Sequence, residues 1–260
     1  MAEAQQPTVT GNVMFYEKPV PLNRDQHKGY GVTPVEKPFE FMSKSHFLPL
    51  TAAEFGSAAA SYPIIFAGDD RSPLAVMGIR TEENLFVADG EFDNDFYMPS
   101  FARRYPFVLA GDPTNDRFVV CVDEAARCVT NKNPAQPFFA TNDTSPFTKE
   151  AFEFLQSFER DRQATAAMVQ ELKDLDLFEP KDMHFQGQLA DGSPGERQKI
   201  ADYFAVSEEK LRNLPADKIK SLAERGILAV IFSHLVSLSN WQRLVNKTLR
   251  LAKAEQDAAS

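Results

Sequence analysis

Two cysteines in 260 residues are too few for a disulfide framework. Cys121 and Cys128 lie seven apart without companion ligand pairs, so both are read as reduced thiols and no zinc site is indicated. The four histidines are as sparse: His27, His46, His184 and His234 fall in no HExxH or His-x-Asp pattern, and no metal is expected. Neither GxGxxG nor GxxxxGK[ST] occurs, which removes the two glycine-rich phosphate cradles. The acid-rich stretch "ADGEFDNDF" lacks the calcium-loop spacing and its closing glutamate, and reads as a solvated turn. No cofactor is expected.

Long apolar runs are missing too. The longest, "GILAVIF", is far too short to span a bilayer, and the first residues lack the basic start and apolar stretch of a secretory signal. A soluble, cytoplasmic protein is the expectation. Basic residues are in the minority, 28 Lys and Arg against 37 Asp and Glu, giving a net charge of -9. That charge opposes non-specific binding to nucleic acid and to acidic membranes, since phosphate contacts need a basic face.

What the chain does have is phenylalanine, 22 of them, enough for an aromatic-rich core or a greasy partner surface. It also has a phrase written twice. Residues 57–69, "SAAASYPIIFAGD", and 100–112, "SFARRYPFVLAGD", match at seven of thirteen positions with an offset of 43. "LAVMGIR" is then answered by "FVVCVDE", and "LFVAD" at 85–89 by "PFFAT" at 137–141. Each unit reads helix, strand, turn, strand, strand, over about 51–89 and 97–141. Neither could bury both faces of its sheet alone, so one continuous or closed sheet is expected.

The remaining chain has clear punctuation. Residues 1–45 are broken by Lys18-Pro19, Val20-Pro21, Thr33-Pro34 and Lys37-Pro38 and read as an extended arm with a short strand near Val13 to Tyr16. Thr51 with Glu54 three residues later has capping-box spacing. Ser145 and Pro146 open a long helix predicted to run to about Phe178. A hairpin over 183–206 turns at Asp191-Gly192, Ser207 caps a helix to Leu214, Pro215 starts another to Gly226, and one apolar helix follows before a frayed tail at 251–260. The fold class is α+β: a single domain over 46–250, mostly antiparallel, covered by the long helix and the C-terminal helices.

The repeat supplies an internal control for function. Arg103 and Arg104 stand where the first copy has Ala60 and Ser61, so the junction itself does not require arginine. Arg80 ends the first hairpin where Asp123 and Glu124 end the second, and under pseudo-symmetry the arginines could pair with these acids. Alternatively, a planar guanidinium grips a ligand carboxylate or phosphate. Arg103, Arg104, Arg80, Asp123 and Glu124 are therefore the candidate ligand residues. His234, with Ser237 and Trp241 on its side of the last helix, lacks a neighbouring acid; His234 and Trp241 are read as core or subunit-interface residues rather than catalytic ones.

Several phrases together resemble one bacterial family, the SapC proteins: "VPLNRDQHKGYGV", "LPLTAAEFGSAAASYPIIFAG", "GIRTEENLFV", "FARRYPFVLA", "CVDE", "EAFEFLQSFE" and "SHLVSLSNWQRLV", in order over residues 14 to 245. "DGEFDNDFYMPSF" departs from the family's usual "DGxWxxxYxPxF", with Phe92 for tryptophan. The resemblance implies a soluble accessory protein associated with secretion of surface-layer proteins, whose genes often lie near outer-membrane TonB-dependent receptors and oxygenase or halogenase-like enzymes. It carries over no catalytic residues. Three functions follow as expectations: a non-enzymatic accessory protein engaging a polypeptide or anionic ligand in surface-protein export or modification; an enzyme on a small or peptide substrate with Asp123 or Glu124 as acid/base; or an oligomeric scaffold.

Overall fold

The computed structural model describes residues 14–112, 117–141, 143–188 and 194–259. The class is α+β, with several antiparallel sheets, a long helix and a C-terminal group of helices. Where the sequence reading draws a single body, the chain gathers into two compact units. One comprises residues 1–42, 89–91 and 101–160; the other comprises 43–88, 92–100 and 161–260. The segment 43–88 thus interrupts a unit that resumes after it.

The two repeated hairpins do not share a sheet. In the unit containing Phe107, the hairpin Phe107–Asp112 with Arg117–Asp123 is completed by the short strand Pro19–Pro21. In the other, Ile64–Ala67 and Ser72–Val76 are completed on one side by Phe47–Pro49 and on the other by the long hairpin Phe178–Gln188 with Pro194–Val206. The physical reason is local. Each hairpin pairs its return strand with a strand from its own upstream segment, so that edge is covered within the unit and no shared sheet is needed.

Corresponding backbone bonds recur in the two hairpins. Val76 N–H donates to Pro63 O at 2.9 Å, and Asp123 N–H to Pro106 O at 3.0 Å. Met77 N–H donates to His46 O at 2.7 Å, and Glu124 N–H to Lys18 O at 3.0 Å. Leu50 N–H donates to Pro73 O, and Leu22 N–H to Val120 O. The upstream strand therefore belongs to the pattern too: "LPLT" at 48–51 answers "VPLN" at 20–23. What the sequence reading takes for an arm is here a sheet strand, and the strand expected near Val13 to Tyr16 is instead Pro19–Pro21; Val13 lies outside the described residues, and 14–15 form a turn.

The capping pair forms as its spacing requires. Glu54 is buried; one oxygen accepts from Thr51 N–H and hydroxyl, both at 2.9 Å, and the other from Tyr97 O–H at 3.0 Å and Ser100 N–H at 2.6 Å. The helix it opens is short, a 3-10 turn Ala52–Glu54 and then Phe55–Ala58.

The long helix spans Pro146–Asp174, stopping short of Phe178. Asp176 turns the chain in the left-handed region (φ +53°) and Phe178 already pairs with Val206. The long hairpin's turn at Asp191-Gly192 lies outside the described residues. After Ser207 come helices Glu208–Arg212, Ala216–Glu224 and Ile227–Ser237, a 3-10 turn at Leu238–Asn240, and Trp241–Ala259. The last is helical to Ala259, within the stretch expected to fray, and Ser260 lies outside the described residues. Among the described residues, no single helix is long and apolar enough to cross a membrane.

Because four donors converge on one buried carboxylate, Glu54→Ala is expected to lower unfolding stability by about 3 kcal/mol, the cost of orphaning charge-assisted bonds. Urea unfolding monitored by circular dichroism gives the value, and a loss under about 0.5 kcal/mol would show the carboxylate to be dispensable.

Candidate functional site

The candidate ligand residues do not form one cluster. Asp123 is wholly buried and structural. Its Oδ1 accepts from Lys18 N–H at 2.8 Å and Ala125 N–H at 3.2 Å; its Oδ2 accepts from Glu17 N–H at 3.1 Å, with the Tyr105 hydroxyl at 3.4 Å. It fastens the Pro19–Pro21 strand to the hairpin. Glu124 lies 2.6 Å from Lys18 Nζ and 3.3 Å from His27 Nε2, and its pKa is lowered chiefly by the hydrogen bond from Lys18. Both acids are committed to the N-terminal segment and not to the arginines, which removes the support for using them as an acid/base pair.

Arg80 sits in the other unit, 3.5 Å from Glu83. The register explains why the expected symmetry fails. Ile64 pairs with Ala75 and Phe107 with Val122, so the offset between segments grows from 43 to 47 across the turn. The position corresponding to Arg80 is Arg127, and Asp123 corresponds to Val76.

Arg103 is exposed, its guanidinium 5.4 Å from the Phe154 ring. Arg104 is half-buried among aromatics, over Phe101 at 4.0 Å, Phe158 at 5.1 Å and Tyr16 at 5.8 Å. Tyr16 donates its hydroxyl to Phe107 O at 2.7 Å; burial raises its pKa, while the charge of Arg104 pulls the other way.

These rings stand behind a cleft. Tyr105 and Phe41 stack with centroids 4.1 Å apart, and Phe15 meets Phe41 edge-on at 5.1 Å. Behind them Tyr16 packs edge-on to Tyr105 and Phe101 edge-on to Phe15. Phe15 is held at φ +83°, which costs an aromatic residue on the order of 1–2 kcal/mol and places the ring in this cluster. The three rings wall a cavity of about 290 Å³, with Glu17, Lys37, Glu40, Arg127 and Cys128 around them. Burial pushes up the pKa of Tyr105 and of the Cys128 thiol. Gly90 lets the Lys37 stem approach: a Cβ there would come within 2.5 Å of the Lys37 Cβ, and its φ is +79°.

Sequence reasoning passes over Phe15, Lys37, Phe41 and Arg127. One signal could have found the last: an offset of 47 after the turn sets "GIRT" against "AARC" and so Arg80 against Arg127. The others come from the N-terminal segment, whose fold the prolines conceal.

His234 and Trp241 are interior residues rather than surfaces for a partner. His234 Nδ1 donates to Ile64 O at 2.8 Å and its Nε2 accepts from Val206 N–H at 3.1 Å, which fixes the neutral tautomer. Trp241 packs 5.8 Å from the Tyr203 ring. The large apolar residues exposed on these C-terminal helices are Phe232, Val236, Leu249 and Leu251. Among the described residues, no group of three or more His, Cys, Asp or Glu side chains is placed to hold a metal ion.

Fold and cleft define an α+β protein with an aromatic-walled cavity bordered by charges of both signs. The chain belongs to the SapC family, whose model matches residues 22–244. No curated protein and no solved structure matches the chain.

Burial holds the His234 pKa down to about 4, with the bond to Ile64 opposing the shift only in part. The unfolded chain, with an ordinary histidine near 6.5, therefore binds the proton first on acidification. The stability linked to neutral His234 is complete above about pH 6.5 and is lost as pH falls through about 4. Urea unfolding between pH 7 and 4 is expected to show a decline that is shallower in His234→Gln; equal slopes in the two proteins would remove the assignment.

Proposed function

We propose that this chain is a non-enzymatic accessory protein that binds a polypeptide segment during surface-protein export or modification, the setting the SapC resemblance implies. The observation that carries the reading is the cleft walled by Phe15, Phe41 and Tyr105. Aromatic rings supply large, stiff contact area at small entropic cost, and the charges around them include both signs, Glu17 and Glu40 against Lys37 and Arg127. A polypeptide offers apolar side chains and charges of both signs within a few residues; a simple anion would meet two carboxylates here.

Comparison of the two hairpins supports Arg127 as the cationic anchor. Its counterpart Arg80 has Glu83 beside it, whereas no ion pair is formed by Arg127 among the described residues. Arg104 acts as a positioning residue, since it stacks on Phe101 and Tyr16, which in turn support Phe15 and Tyr105. The family implies no catalytic residues, and the two acids that an enzymatic reading would use are engaged with backbone N–H groups, Lys18 and His27.

Peptides selected from a random display library on the immobilised protein, then measured by fluorescence polarisation, test the reading. Arg127→Glu is expected to weaken the selected peptides about tenfold or more. Arg80→Glu, the same change at the corresponding position of the other unit, should leave them unaffected. Enrichment of no peptide, or equal losses in the two variants, would overturn it.

A further inference from the structure

The helix Trp241–Ala259 turns Trp241, Leu244, Val245 and Thr248 inward. A different face carries Arg243, Lys247 and Arg250, four and three residues apart, so the three side chains are neighbours along the helix. Like charges at that spacing destabilise a helix rather than support it. In a chain of net charge -9, three cations on one helical face call for a physical reason.

The three line an open groove of about 660 Å³, together with Asp93, Phe96 and Leu251. Two of them are held in place. Lys247 Nζ lies 4.5 Å over the Phe86 ring and 4.9 Å over Phe96, with Asp93 at 3.5 Å. Arg243 donates Nη1 to Ala60 O at 2.6 Å, leaving its other N–H donors. Arg250 is exposed in the next turn. One carboxylate faces three cations, so the groove keeps an excess of positive charge.

We propose that this groove binds a phosphate group. A phosphate monoester presents three acceptor oxygens and nearly two negative charges, which suits donors arriving from separate side chains. Arginine grips phosphate through its planar fork, and the lysine adds a compact charge. A single carboxylate would balance less of the excess. The Phe96 and Leu251 side chains give an apolar floor for whatever carries the phosphate, and three cations on one helix are too few for a nucleic-acid track. A soluble phosphate ester and an anionic lipid headgroup both present phosphoryl acceptor oxygens, the lipid diester with two of them and one negative charge.

The inference is independent of the cleft. Isothermal titration with inorganic phosphate and pyrophosphate at matched ionic strength, and co-sedimentation with phosphatidylglycerol or phosphatidylcholine vesicles, test it on the full chain. Saturable binding of either soluble anion, or sedimentation with phosphatidylglycerol vesicles alone, is expected. Arg250→Gln should weaken it about tenfold, one charge-assisted contact, and Arg250→Glu should weaken it further. Arg127→Glu should leave it unchanged, which separates this site from the peptide cleft. No binding to any of these probes, or Arg250→Glu binding as well as the wild type, would overturn the proposal.

Discussion

A two-stranded hairpin is marginal in water until a third strand covers its edge and something covers its apolar face. Both hairpins meet this constraint with a three-residue strand ending in proline, Phe47–Pro49 in one and Pro19–Pro21 in the other. Proline lacks the N–H a central strand needs, so these strands stay at the edge. The difference lies in where each strand is found. Phe47–Pro49 sits just upstream of its hairpin, whereas Pro19–Pro21 must be recovered across the whole inserted segment 43–88. Long loop closure carries an entropic cost, and Asp123 is the compensating device. Its carboxylate takes Glu17 and Lys18 N–H, while the corresponding Val76 in the other hairpin has no acceptor in its side chain.

On this common backbone the side chains diverge. Tyr62 buries its ring and gives its hydroxyl to Tyr97 O, filling the space beside its hairpin. Tyr105 keeps its ring half-exposed against Phe41 and so leaves a wall instead of a plug. Counting back along the paired strands, Phe15 and Glu17 stand where the other segment has Ser43 and Ser45. One aromatic wall, Phe15, and one charge, Glu17, are thus what this upstream segment adds to the shared framework.

How far the sequence reveals this depends on the signal each part leaves. The α+β class, the buried strands after each Tyr-Pro and the Thr51–Glu54 cap follow from apolar runs and capping chemistry that act over a few residues. The Pro19–Pro21 strand does not, because three residues carry no period and two prolines argue against a strand. Arg104 packs behind the rings of the cleft, yet the acids chosen as partners for the arginine pair rest on an offset that a longer hairpin had already changed. The cleft is assembled from residues 15, 37, 41, 105 and 127, and a single sequence contains no record of which distant residues share a cavity. His234 reads in the sequence as a core or subunit-interface residue; its apolar neighbours do not choose between the two, nor name the backbone groups it bridges.

Charge ties the two surfaces together. At physiological salt a fixed charge is felt over roughly 8 Å, so a net charge of -9 spread over the molecule does not decide what binds at a given spot. The local count does. Around the cleft, two carboxylates balance two cations, so binding there draws on apolar contact and geometry and responds weakly to salt. Along the Trp241–Ala259 helix, three cations face one carboxylate, and occupancy there must fall as salt rises. A negative group therefore finds its site where lysine and arginine outnumber the acids within a few ångströms.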